Sequence, residues 1–71
     1  MSLEEWELID EELRELRRRE ADWDFIRGLP PKLREAIEVY IDTVDLWISA
    51  KISGMTADEF NEIRIRAGIL H

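Results

Sequence analysis

Cysteine is absent from this chain of 71 residues, and histidine occurs once, as the final residue His71. Without thiols the chain can form neither a disulfide framework nor a thiolate zinc site, and one terminal imidazole does not make a histidine metal site. We therefore expect no metal and no other cofactor. Because no nucleophile can be matched with a base and no glycine loop is present to bind phosphate, the sequence does not predict an enzyme.

Glycine and proline are scarce, with three and two residues, and neither an alternating β pattern nor an internal repeat is present. The sequence predicts an all-α fold of three or four helices, divided at residues 28–31 into an amino-terminal helical arm, 1–28, and a helical core, 29–71. A chain this short forms one domain at most and buries only about 60% of its unfolded surface. We therefore expect additional stability from self-association, as a homodimer.

Long apolar runs and basic patches are also missing. No run of apolar residues is long enough to span a bilayer, and the amino terminus is acidic where a secretory signal would be basic. We expect a cytoplasmic protein without a membrane partner. The formal net charge is −7, and nucleic-acid binding draws most of its affinity from Lys and Arg, so the charge argues against a nucleic-acid partner.

The amino-terminal segment begins like a helix, because Ser2 and Glu5 have the spacing of a capping box. Acidic residues crowd its first half and Arg residues its second half, which complements the helix dipole at both ends. The helix is predicted to continue to about Arg27. Gly28 is the expected left-handed stop.

Apolar residues recur along this helix at spacings of three and four. This amino-terminal seam comprises Leu3, Trp6, Ile9, Leu13, Leu16 and Trp23. A narrow stripe flanked by charges is typical of a coiled-coil or groove-binding helix, and so of a surface that meets another protein. The alternative is that the seam covers the rest of the same chain.

A second helix is predicted from Pro31, with apolar residues at the 3.6-residue period. These predicted core positions are Leu33, Ala36, Ile37, Tyr40, Ile41, Val44, Trp47 and Ile48. The helix can run unbroken to Ile52, or it can break near Asp45, which would then cap a new helix. The sequence leaves both possibilities open.

The remaining segment predicts a turn and a last helix. Gly54 supplies the left-handed backbone of the turn, and Thr56 with Glu59 forms a capping box. The last helix is expected to bury four residues and to end at Gly68, after which Ile69 and Leu70 fold back onto the core. The four are Ala57, Phe60, Ile63 and Ala67.

Residues 46–65 fit the spacing of a helix-turn-helix, in which the second helix could read DNA. The candidate DNA contacts are Lys51, Thr56, Asn61 and Arg64. Three acidic side chains, Asp58, Glu59 and Glu62, would then be brought against the phosphates. A helix-turn-helix used for packing is therefore favoured over one that binds an operator, and a DNA-binding repressor remains the alternative.

Several short stretches of the carboxy-terminal half carry a resemblance to a known family. They are Val44–Leu46, Ala50–Thr56 (AKISGMT), Glu59–Phe60 and Arg66–Ile69 (RAGI). From about Leu33 to Ile69 the chain resembles small archaeal and bacterial antitoxins of the VapB type, whose carboxy-terminal half is a helix-turn-helix. Where that family has a small residue and a Lys after the helix start, this chain has Trp47 and Ile48.

The resemblance implies an antitoxin that neutralises a toxin by direct contact. The toxin is commonly a ribonuclease, and the antitoxin is often a dimer. If the toxin is a nuclease with a carboxylate-lined metal site, the run Arg17–Arg19 could insert a guanidinium into it. If the toxin is a compact basic nuclease, the acidic half of the arm could lie on it with the seam in its groove. The predicted partner contacts are Leu3, Trp6, Ile9, Leu13, Leu16, Arg17, Arg18 and Trp23. A self-assembling subunit is the remaining alternative.

Overall fold

The structure, a computed structural model, describes residues 2–70, so His71 lies outside the described residues. These residues form five helices and no strand, which confirms the predicted all-α fold. The expected number of three or four helices is wrong, because the chain also breaks at Ala21 and Asp22. The helices are α1 (Leu3–Glu20), α2 (Trp23–Arg27), α3 (Pro31–Thr43), α4 (Leu46–Ser53) and α5 (Ala57–Arg66).

Helix α1 begins as predicted but ends earlier. The Ser2 hydroxyl accepts a hydrogen bond from the Glu5 N–H at 3.2 Å. The predicted continuation to Arg27 is wrong, because the chain turns out of the helix at Ala21 and Asp22. The Asp22 carboxylate accepts from the Phe25 N–H at 3.1 Å and so starts α2. This break lets both Ala21 and Ile26 enter the core.

The end of α2 also differs from the prediction. Gly28 has a φ of −80°, in the right-handed region, and its N–H donates to the carbonyl of Phe25. The predicted left-handed stop at Gly28 is therefore wrong. What prevents the helix from continuing is the Pro30–Pro31 pair, since neither proline has an N–H to donate and Pro31 is preorganised to begin α3.

Of the two possibilities for the second helix, the structure has the break. Val44 adopts the left-handed conformation with a φ of 54°, and the Asp45 carboxylate caps α4 by accepting from the Ile48 N–H at 3.0 Å. Because the axis of α4 points in a different direction from that of α3, the 3.6-residue period of buried positions in α3 does not continue into α4. The predicted core positions Val44, Trp47 and Ile48 are wrong, because these side chains are exposed.

The core forms around α3, which packs against α1, α2 and α4, while α5 packs against α4. The buried apolar residues are Ala21, Ile26, Leu33, Ala36, Ile37, Tyr40, Ile41, Ala50, Phe60, Ala67 and Ile69. The rings of Tyr40 and Phe60 lie 5.8 Å apart and are tilted, a favourable aromatic pair. Each fully buried side chain such as Ile37 or Phe60 contributes roughly 1.5–3 kcal/mol.

The carboxy-terminal residues support the junction between α1 and α2. After α5, Gly68 has a φ of 78° and turns the chain back so that Ile69 is fully buried, as predicted. Leu70 is 63% exposed, so its predicted return to the core is wrong. The Asp22 N–H donates to the Ala67 carbonyl at 2.8 Å, which holds the junction between α1 and α2 to the end of α5.

Candidate functional site

Helix α1 is held to the rest of the molecule by a polar contact. Arg17 is 3% exposed, and its Nε donates to the carbonyl oxygen of Ile41 at 2.6 Å, in the last turn of α3. Beside it, Arg18 pairs with Asp42 at 2.8 Å. The prediction that Arg17 contacts a partner is therefore wrong, because the carboxyl end of α3 already occupies its guanidinium.

Trp23 does not belong to the same surface as the rest of the amino-terminal seam. It lies in α2, beyond the break, and is half-buried against the core. Its Nε1 donates to the Arg18 carbonyl at 2.8 Å, one of the carbonyls that the end of α1 leaves free. Its predicted place on one continuous helical stripe with Leu16 is wrong.

The other five members of the seam stay together on one side of α1. This α1 seam comprises Leu3, Trp6, Ile9, Leu13 and Leu16. Leu3, Trp6 and Leu13 are 75%, 60% and 42% exposed, while Ile9 and Leu16 are half-buried. At about 3.6 residues per turn, the seam is centred roughly 100° around the helix from the Arg17 and Ala21 side chains that face α3. The contact with α3 therefore leaves the seam uncovered.

Acidic side chains are frequent in the first half of α1, some beside the seam and some on the opposite side of the helix. The first thirteen residues contain six carboxylates, and all of them are exposed: Glu4, Glu5, Glu7, Asp10, Glu11 and Glu12. Asp10 forms an ion pair with Arg14 at 2.9 Å. Along one edge of the seam, Ile9, Leu13 and Leu16 lie next to Glu12, Glu15 and Arg19. The site is thus an apolar ridge on a negatively charged stretch of helix.

The candidate DNA contacts at the start of α5 serve the fold. The Thr56 hydroxyl accepts from the Glu59 N–H at 3.2 Å, and the Glu59 carboxylate accepts from the Thr56 N–H at 3.1 Å, so the predicted capping box is confirmed. Hydrogen bonds from the backbone N–H and from the side chain of Thr56 lower the pKa of Glu59 below its ordinary value. The carboxylate therefore stays charged at the position where a phosphate would have to approach.

Asn61 and Arg64 are joined to each other and to the core. The Arg64 Nε donates to Asn61 at 2.8 Å, its Nη1 donates to the Ile69 carbonyl at 2.9 Å, and its guanidinium lies over the Tyr40 ring at 5.4 Å. Lys51, the remaining candidate DNA contact, is exposed. The structure therefore gives Thr56, Asn61 and Arg64 intramolecular roles.

A second exposed apolar surface lies at the start of α4, where the helical period predicts core positions. This α4 patch comprises Val44, Trp47 and Ile48, which are 41%, 76% and 53% exposed. A signal was available in the composition of α4, whose buried residues are the small Ser49 and Ala50. Leu46 and Ile52 of the same helix also pack against the core, whereas Trp47 and Ile48 point outward.

Within residues 2–70, no group of three or more His, Cys, Asp or Glu side chains is arranged to hold a metal ion. None of the helices in that range combines the length and the apolar character needed to cross a membrane. Comparison of the chain with protein-family models, with curated proteins and with solved structures gave no match.

Proposed function

We propose that this chain is a protein–protein interaction module that binds its partner through the α1 seam, as an antitoxin-like neutraliser of a toxin nuclease. The observation that carries the proposal is the exposure of Trp6 and Leu13 on a helix attached to the body through Arg17. Large aromatic and aliphatic side chains contribute most of the binding energy when a partner covers them. The resemblance of residues 33–69 to VapB-type antitoxins supports the more specific function.

The charges around the seam favour a basic partner. The six carboxylates of residues 4–12 would attract a groove bordered by Lys and Arg and would repel an acidic one. Since Arg17 is buried, the insertion of this guanidinium into a carboxylate-lined metal site is no longer supported. Of the two toxin classes that the resemblance implies, a compact basic ribonuclease is therefore the better match.

The mode of binding follows from the small number of contacts between the first half of α1 and the rest of the molecule. Isolated helices shorter than about 12–15 residues are marginal in water, and residues 3–13 are mostly exposed. Docking an amphipathic helix into an apolar groove supplies the contacts that it lacks in the free protein. We therefore propose a helix-in-groove complex in which Trp6, Ile9, Leu13 and Leu16 serve as anchors.

Two leucines of α1 provide a matched test. Leu13 belongs to the seam, whereas Leu8 is 59% exposed on another side of the same helix. The partner is first purified with the full-length chain from the native cell, and its affinity is then measured by calorimetry. Leu13→Ala and Trp6→Ala are expected to weaken binding at least about tenfold, while Leu8→Ala stays within about twofold.

Equal losses for Leu8→Ala and Leu13→Ala would show that the seam is not the binding surface. The nuclease function has a separate readout, which is RNA cleavage by the purified partner. The intact chain is expected to abolish this cleavage at one equivalent, and Trp6→Ala to restore it. A partner without ribonuclease activity would refute the antitoxin function while leaving the interaction module in place.

A further inference from the structure

We infer that the α4 patch joins two copies of this chain in a homodimer with twofold symmetry, separate from the surface used in the proposed function. Trp47 is 76% exposed, the largest exposed fraction among the large hydrophobic residues of the described chain. A tryptophan side chain can bury about 150–250 Å² in an interface. Residues of this type are strongly enriched among those that dominate binding energies.

The backbone next to the α4 patch is strained at Val44. Val44 is β-branched and has a φ of 54°, a conformation that such residues rarely adopt. An apolar residue before a helix cap usually packs against the fourth residue of the helix, which in α4 is the buried Ser49. That position offers no apolar partner, so Val44 stays on the surface. Strain of this kind is concentrated at functional sites.

The distribution of charge indicates that the occupant is a second copy. The net charge of −7 makes two copies repel each other over most approaches. No residue of α4 is acidic, and its exposed side carries Lys51 beside Trp47 and Ile48. Of the two acids that precede α4 in sequence, Asp42 pairs with Arg18 and the Asp45 carboxylate is held at the helix N-terminus as its cap. Two copies that meet at α4 therefore bring together a surface whose helix carries a cation and no acid.

The patch is also complementary to itself. When two α4 helices lie antiparallel and cross at Ile48, Lys51 of one copy lies opposite Asp45 of the other and within one turn of its Trp47. The ammonium group can then lie on the indole face, a cation–π contact that forms twice by symmetry. The same alignment places Val44 beside the half-buried Ile52 of the other copy. The opposed helix dipoles add a further favourable term.

The experiment is sedimentation equilibrium of the purified full-length chain from micromolar to millimolar concentration, with variants in matched pairs. We expect a monomer–dimer equilibrium whose Kd rises at least about tenfold in Trp47→Ala and in Lys51→Glu. The controls are Trp6→Ala, a second exposed tryptophan, and Lys32→Glu, the same charge change on α3. Both should stay within about twofold, and Lys51→Arg should retain the dimer because it keeps the cation.

A chain that remains monomeric over the whole range would overturn the inference. So would a dimer unaffected by Trp47→Ala and Lys51→Glu, or one that Trp6→Ala dissociates. Circular dichroism of each variant establishes that the helices are intact. Because partner binding is measured through Trp6 and Leu13, failure of the dimer and failure of the proposed function give different results.

Discussion

The Nε of Arg17 donates to the carbonyl oxygen of Ile41 at 2.6 Å, a hydrogen bond between residues 24 apart in sequence. Ile41 lies in the last turn of α3, where carbonyl groups have no partner within the helix. A charged side chain of α1 therefore supplies the donor that this helix end lacks. Because a polar contact fastens α1, the apolar seam of this helix stays largely exposed.

Arg17→Ala should lower the free energy of unfolding by about 2–4 kcal/mol, since it removes a buried side chain and leaves the Ile41 carbonyl without its donor. Arg17→Met should cost less, because it keeps the apolar stem and removes a guanidinium whose Nη2 has no hydrogen-bond partner among the described residues. Urea denaturation measures both. Arg19→Ala, at an exposed position of the same run, is the control and should change stability by no more than about 0.5 kcal/mol. Equal effects at Arg17 and Arg19 would contradict the structural role of Arg17.

Val44→Asn should raise the free energy of unfolding by about 1 kcal/mol, because Asn tolerates the left-handed conformation that strains valine. The exposed side chain of Val44 leaves little burial to lose. Thermal unfolding is measured in the Trp47→Ala background, so that self-association does not contribute. Val39→Asn, within α3, is the control and should be destabilising; a loss of stability in Val44→Asn would show that the strain is absent.

The two left-handed glycines should respond differently to alanine. Gly54 has open space around a new Cβ, so Gly54→Ala should cost about 1 kcal/mol for its φ of 77° alone. At Gly68 the Cβ would lie 2.9 Å from the Glu20 carbonyl oxygen, so Gly68→Ala should cost about 2–4 kcal/mol. Chemical denaturation of the two variants checks the order. A smaller cost at Gly68 would mean that the carboxy-terminal segment does not approach the end of α1 this closely.

The pKa of Glu59 should rise toward its ordinary value in Thr56→Ala, because the side-chain hydrogen bond that lowers it is lost. An NMR titration of the Glu59 carboxyl measures the change. Since the folded state has the lower pKa, this stabilisation is complete above the ordinary pKa of a glutamate and is lost as the pH falls through the pKa of Glu59. Glu59→Gln keeps a hydrogen-bond acceptor without the charge, so it should remove the contribution of Glu59 to the pH dependence of the free energy of unfolding. An unchanged pH dependence on the acidic side would contradict this prediction.

Much of the local structure could be predicted because its signals lie within a few residues of each other. The caps at Ser2, Asp45 and Thr56 each join a side chain to an N–H three residues later, so the sequence contains both partners. Asp22 has the same kind of contact with Phe25 and was missed. The reason is that Asp22 lies four residues after Arg18, a spacing that also fits an ion pair within one continuous helix. The contact that accompanies the break comes from Ala67, 45 residues further along.

In the candidate sites, too, some features depend on neighbouring residues and others on contacts between distant parts of the chain. The amino-acid sequence by itself determined that the chain is helical, most of the helix caps and the narrow apolar seam of α1, because these depend on spacing along one chain segment. The tertiary structure decided that Arg17 faces inward and Trp47 outward, because burial depends on the direction in which each helix leaves its junction. At the junction after Ala21 the change of direction is accompanied by the hydrogen bond from the Asp22 N–H to the Ala67 carbonyl, a contact between distant residues that no local pattern contains.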